Sequence, residues 1–267
     1  MILASASLLS LSLALGAIAA YLAAAAGASR WWSSSARALT WLAWLLHGAM
    51  LASNLLADQA RFGFAPALSV MVWLIAAVYA VETYLYPMLH MHWPLSALGT
   101  GAIMLALVFP GTPLHAGASP WLPLHWALGI ASYGMIGTAV VHAWFMTRTE
   151  ASIRRGVDAH SGVPLLTMER LTFRFIGAGF LLLTATLVLG LVFGGQLYGA
   201  RATLRWDHKT AFSVLSWLTF AWLLIGRVRF GWRGKRAVRI LYIGSGLLLL
   251  AYVGSRFVME VLLGRSG

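Results

Sequence analysis

The chain reads as an all-α polytopic membrane protein, a bundle of about eight transmembrane helices with both termini outside. Three observations carry that reading. Of 267 residues, 60% are hydrophobic and only 10% are charged; the mean hydropathy is +0.81; and the basic residues cluster in alternate connections between apolar segments. A chain so poor in polar side chains cannot coat a soluble globule of this size. It also contains no cysteine, which excludes disulfides, thiolate metal sites, a CxxC redox motif and thioether attachment of haem to this chain.

A helix needs about 20 mainly apolar residues to cross a bilayer, and such stretches fall at about 2–27, 38–57, 67–87, 95–109, 121–147, 174–198, 208–226 and 237–263. The first resembles a signal peptide, with small residues from Ala23 to Ser29. It lacks a basic leader, however, and Arg30 and Arg37 follow it, so it reads as an uncleaved span with its N-terminus outside. The second carries His47 near its middle, and the third carries Glu82 about one turn from its cytoplasmic end. The fourth, opened near Pro94 and closed by Pro110, is short enough to be re-entrant. The fifth starts at Trp121. Only the connection at about 148–173 is long enough to hold structure of its own: Gly156, Asp158, Ser161, Gly162 and Pro164 mark a loop, and Leu165 to Phe173 a short interfacial helix leading into the sixth span. Asp207 is a candidate N-cap for the seventh. Residues 1–267 thus read as a single integral membrane domain. No internal repeat stands out, which weighs against transporters built from inverted halves.

The formal net charge is +12. Thirteen of the nineteen basic residues lie in or beside alternate connections: Arg30 and Arg37; Arg148, Arg154, Arg155, Arg170 and Arg174; Arg227, Arg229, Arg233, Lys235, Arg236 and Arg239. These connections are cytoplasmic by the positive-inside rule. The connections near 58–66, 110–120 and 199–207 then face outward. The excess charge is mostly topology, with anionic lipid contact as a secondary benefit. With no P-loop and no GxGxxG after a strand, nothing points to nucleotide chemistry or to a nucleic-acid partner.

His125 and His208 each begin an apolar span at the outer face, His125 about one turn, roughly 6 Å, below the boundary. Two imidazoles at one depth could clamp a single haem iron; the bland reading of each is an interfacial or packing histidine. Haem propionates call for cationic partners, and Arg256, in the outer third of the eighth span, is the best candidate, with snorkelling to the headgroups as its alternative. Lys209, Arg201 and Arg205 lie at the same face. Trp121, Trp126, Tyr133, Trp206 and Trp217 could wall a porphyrin, although aromatic belts explain them equally well. His115 is an alternative ligand or a solvated loop residue. His47 either ligates a second, deeper haem or hydrogen-bonds a neighbouring helix, the simpler of the two, and pairing it with His142 would be stretched in depth. Glu82 could relay protons or simply hydrogen-bond near the boundary. His90, His92 and His160 look structural or solvated. Gly190 and Gly194 form a lone GxxxG, which permits close helix packing.

Several stretches together resemble the YpjD branch of the cytochrome c assembly family, related to the CcsA and CcmC haem-handling membrane proteins. They are PLLTMERLTFRFIGAGFLLLTATLVLG at 164–190, HKTAFSVLSW at 208–217, WRGKRAVRILYIGSGLLLLAYVGSRFVMEVLL at 232–263 and LHWALGIASYG at 124–134, with Leu46 and His47 in support. The resemblance implies a multi-pass protein of the bacterial cytoplasmic (inner) membrane that binds haem b or passes it at the outer face toward apocytochrome c. It implies that His125 and His208 are the outward haem ligands, that His47 matches the branch's second-span histidine, and that Arg256 belongs to its GSR motif. The tryptophan-rich WWD segment of the larger relatives is not recognisable, Trp206-Asp207 being only a fragment, which counts against full haem-lyase activity.

Three functions remain open on these residues. The first is a non-enzymatic haem-handling factor for cytochrome c biogenesis, whose missing thiols require a ResB-like or thiol-reducing membrane partner. The second is a bis-His haem b subunit that transfers electrons. The third is a small-solute carrier or membrane scaffold without haem, using Glu82 and the buried histidines for packing or proton coupling.

Overall fold

The computed structural model describes residues 7–28, 33–57, 61–85, 92–113, 121–156, 164–194, 208–258 and 261. Among them are eight helices: α1 Leu8–Ala28, α2 Ser33–Leu55, α3 Phe64–Leu85, α4 His92–Val108, α5 Trp121–Arg154, α6 Leu165–Val192, α7 His208–Phe230 and α8 Gly234–Leu249, the last continuing through a π-helical turn at Leu250–Gly254 into Ser255–Phe257. The chain is an all-α polytopic membrane protein. Six of the helices are long and apolar enough to cross a bilayer. The other two are α2, whose length suffices but whose apolar character is diluted by tryptophans, His47 and Asn54, and α4, which has 17 residues. Pro66, Pro94 and Pro123 each stand in the first turn of their helix, where the missing N–H has no intrahelical partner to lose.

Two boundaries differ from the hydropathy reading. The interfacial helix expected at Leu165–Phe173 is the start of α6 itself, unbroken to Val192. Helix α5 runs on to Arg154 instead of ending near 147. Hydropathy marks where a segment leaves the apolar layer, whereas the backbone ladder continues into charged turns that side-chain pairs support, here Glu150 with Arg154 at i,i+4.

The chain divides into two compact units, residues 1–114 with 256–267 and residues 115–255. In the first, α1 lies along α2 and α4, and α3 packs on α2 and α4. Small residues make the approach close: Ala14, Ala17, Ala20 and Ala24 are buried along α1, and a Cβ at Gly99 of α4 would fall 2.6 Å from the Tyr21 ring. Trp44 and Trp73 stack at 5.0 Å, and each indole N–H donates to the other's carbonyl, at 3.2 and 3.0 Å. Two short strands, Arg61–Phe62 and Thr112–Pro113, pair antiparallel, joining two connections that the charge bias assigns to the same outer face. Gly111, at φ 80, lies against them where a Cβ would meet the Phe62 backbone at 2.5 Å.

In the second unit α5 packs on α6 and α8, and α7 packs on α6 and α8. The four helices therefore form a ring in the order α5, α6, α7, α8, with α5 and α7 on opposite corners. Ile136, Ile176, Leu183, Phe220, Leu223, Leu241 and Leu248 fill its core.

Candidate functional site

Each neighbouring pair in that ring is fastened by one side chain at similar depth. Ser132 of α5 donates to the Gly179 carbonyl of α6 at 3.0 Å, and Tyr133 of α5 donates to the Leu248 carbonyl of α8. Ser216 of α7 donates to the Gly244 carbonyl of α8 at 2.9 Å. Trp217 of α7 donates to Thr184 Oγ1 of α6 at 2.8 Å and stacks on Phe180. The polar atoms of Tyr133 and Trp217, two candidate porphyrin walls, thus serve to tie helices together.

His125 stands seven residues before Ser132, and His208 eight residues before Ser216. At about 1.5 Å per residue both histidines lie some 10–12 Å along their helices from this girdle, on opposite corners of the ring. His125 is half-buried, and its ring hydrogen-bonds the Thr186 backbone of α6. Gly190, one turn further on α6, leaves room for that ring: a Cβ there would sit 3.3 Å from His125 Cε1. Above it, Trp121 stacks on Phe193 at 4.5 Å. His208 is exposed and opens α7, with Lys209 half-buried beside it. The GxxxG pair accordingly acts at Gly190 through a histidine; among the described residues a Cβ at Gly194 would meet nothing within 4 Å.

His47 lies in the other unit, fully buried. Its Nε2 is 2.8 Å from Ser69 Oγ on α3, and its Nδ1 is 3.4 Å from the Tyr21 hydroxyl on α1. Both ring nitrogens thus face hydroxyl partners on neighbouring helices. Glu82 is buried near the end of α3, and His142 is buried in α5 against Phe175. Arg256 precedes Phe257, which packs edge-on against Phe64 at 5.4 Å, at the end of α3 where the charge bias puts the outer face. His90, His115, His160, Arg201, Arg205, Trp206 and Asp207 lie outside the described residues, as does the side chain of His92.

Sequence reasoning missed Thr186, Thr184, Ser132 and Ser216. A signal was present all the same: a serine followed by a polar-tipped aromatic, seven residues after one histidine and eight after the other.

The fold and this end of the second unit define a class: a polytopic membrane bundle presenting two histidines from opposite helices at one face. Residues 32–263 match the model of the cytochrome c assembly protein family. The chain belongs to that family. It is 34% identical over 157 residues, 57% of each chain, to an uncharacterised 28.8 kDa protein of Azospirillum brasilense. It is 29% identical to the inner membrane protein YpjD of Escherichia coli K12, over 55% of this chain and 56% of that one. To the cytochrome c biogenesis protein CcsA of Gloeobacter violaceus it is 29% identical over 43% of this chain and 33% of that one. The chain thus spans little more than half the length of the first curated relatives it matches. No solved structure matches.

Proposed function

We propose that this protein binds haem b at the outer end of its second unit, with His125 and His208 as axial ligands, and serves cytochrome c biogenesis in the bacterial inner membrane by holding or delivering haem. The observation that carries the reading is the seat of the His125 ring, half-buried near the start of α5, over Gly190 and beside the Thr186 backbone. A metal-bound imidazole characteristically gives its second nitrogen to a carbonyl or carboxylate, which fixes its tautomer and plane. The ring of helices supports the second ligand: α5 and α7 stand on opposite corners, each bonded to both α6 and α8, so a planar group between them would meet an imidazole from either side. Two neutral imidazoles suit low-spin haem iron, the porphyrin supplying the four remaining positions.

Attachment of haem to apocytochrome c needs reduced thiols. A chain without cysteine leaves them to the apocytochrome and to a ResB-like or thiol-reducing membrane partner. The test is the reduced-minus-oxidised spectrum of the purified protein beside its His125→Ala/His208→Ala variant. A b-type spectrum present in the first and lost in the second is expected. Equal haem content in both sinks the assignment.

A further inference from the structure

The cytoplasmic corner between α7 and α8 carries more charge than topology requires, and that charge is organised. Lys235, Arg236 and Arg239 are exposed on the first two turns of α8, while Ala237, Val238 and Leu241 on the other side of the helix are buried. Further along the same exposed side follow Tyr242, 40% exposed, and Ile243, 54% exposed. The stripe therefore runs from three cations through a phenol to an aliphatic side chain, in the order in which a phospholipid presents its phosphate, its glycerol esters and its acyl chains.

The middle cation is held in place. Trp232 is buried, seated where a Cβ at Gly226 would fall 2.1 Å from its ring, and the Arg236 guanidinium lies over it at 3.8 Å. The carboxylate at this corner is already engaged: Glu169 is 2.5 Å from Arg227 and 3.6 Å from Arg233. It leaves Arg236 and Arg239, one turn apart, facing outward. From Arg239 to Tyr242 is about 4.5 Å along the axis, close to the span from a lipid phosphate to its ester carbonyls.

We propose that this face of α8 binds an anionic phospholipid of the cytoplasmic leaflet, with the phosphate on Arg236 and Arg239 and the glycerol region beside the Tyr242 hydroxyl. A soluble phosphate compound would use the cations but not the Tyr242–Ile243 continuation, and the continuation favours a lipid. The proposal is independent of haem.

The test uses the full chain reconstituted in bilayers of equimolar phosphatidylglycerol and phosphatidylcholine, then extracted gently and weighed by native mass spectrometry with its retained lipids. Retention of phosphatidylglycerol over phosphatidylcholine by at least about threefold is expected, unaffected by millimolar inorganic phosphate. Arg236→Gln/Arg239→Gln should bring the ratio to parity. Arg154→Gln/Arg155→Gln, which removes the same charge from another cytoplasmic turn, should leave it unchanged. Equal retention by the native protein, displacement by phosphate, or equal loss in both variants overturns the proposal; helicity by circular dichroism shows that each variant is folded.

Discussion

The two units each hold a histidine against a neighbouring helix, in opposite ways. His47, in the first, is fully buried, with Ser69 on one nitrogen and Tyr21 at the other. His125, in the second, sits near a helix end, half-buried and turned onto a backbone carbonyl over a glycine. An imidazole enclosed by hydroxyls satisfies a polar group that hydrocarbon would penalise. An imidazole steered by a carbonyl at the mouth of a bundle is prepared for something from outside the chain. The units also differ in their ties: the first adds the paired Trp44 and Trp73 indoles to a close-packed alanine face, the second a girdle of side-chain hydrogen bonds around all four helices.

The largest effect expected from this contrast is in haem content. His125→Ala/His208→Ala should lose essentially all of it, whereas His47→Ala should retain haem per folded molecule. The cost of His47→Ala falls on stability, about 2–3 kcal/mol for leaving buried Ser69 and Tyr21 hydroxyls without their partner, read as a lower thermal midpoint. Were haem per molecule to fall by half on His47→Ala, a second haem would belong at His47 and the contrast would fail.

Gly190 offers a finer cut. An alanine Cβ at 3.3 Å from His125 Cε1 is tighter than ordinary contact, so the ring must shift from its seat beside Thr186 by a few tenths of an ångström. Perturbing the outer shell of a ligating histidine typically costs 10–100-fold in metal affinity. Gly190→Ala should therefore weaken haem retention by about tenfold in a haem titration. Gly129→Ala, whose Cβ would meet Thr186 Cγ2 at an ordinary 3.7 Å, should not. Equal effects at the two positions would show that packing of α5 on α6, and not the pose of His125, governs retention.

How much of this was legible depends on whether the signal is local. Helix starts at Trp121 and His208 agree with the sequence reading because hydropathy changes abruptly there and a proline marks the first turn of α5. The beginning of α6 did not, because Glu169, Arg170 and Arg174 interrupt the apolar run while Glu169 bridges to Arg227, a partner far along the chain. The histidines could be picked out as ligands by residue type and depth. That α5 and α7 stand on opposite corners could not, since it rests on which serine reaches which carbonyl. The π-helical turn of α8 had no local mark either, for the phenol that meets it lies on another helix.

That phenol is Tyr133. Its hydroxyl donates to the Leu248 carbonyl and takes the backbone N–H of Tyr252, the two groups that would meet in an ordinary i→i−4 bond. The phenol oxygen is thus wedged into the α-helical ladder, a recognised origin of helix distortion, and the turn beside it widens into the π form at Leu250–Gly254. In Tyr133→Phe the wedge is gone and the two backbone groups can bond directly. The stability change should be small, about 1 kcal/mol, because two interhelical bonds to one hydroxyl are exchanged for one helical bond. The register change should be large: closing the turn to α rotates the following residues by about 100°. Since the chain contains no cysteine, a single spin label at Val253→Cys reports that rotation as altered accessibility to oxygen. An unchanged accessibility in Tyr133→Phe would mean that the π turn belongs to α8 alone. A changed one, beside a Ser132→Ala variant that leaves it untouched, would show that in the second unit one girdle bond sets the course of a helix while its neighbour only holds a pair together.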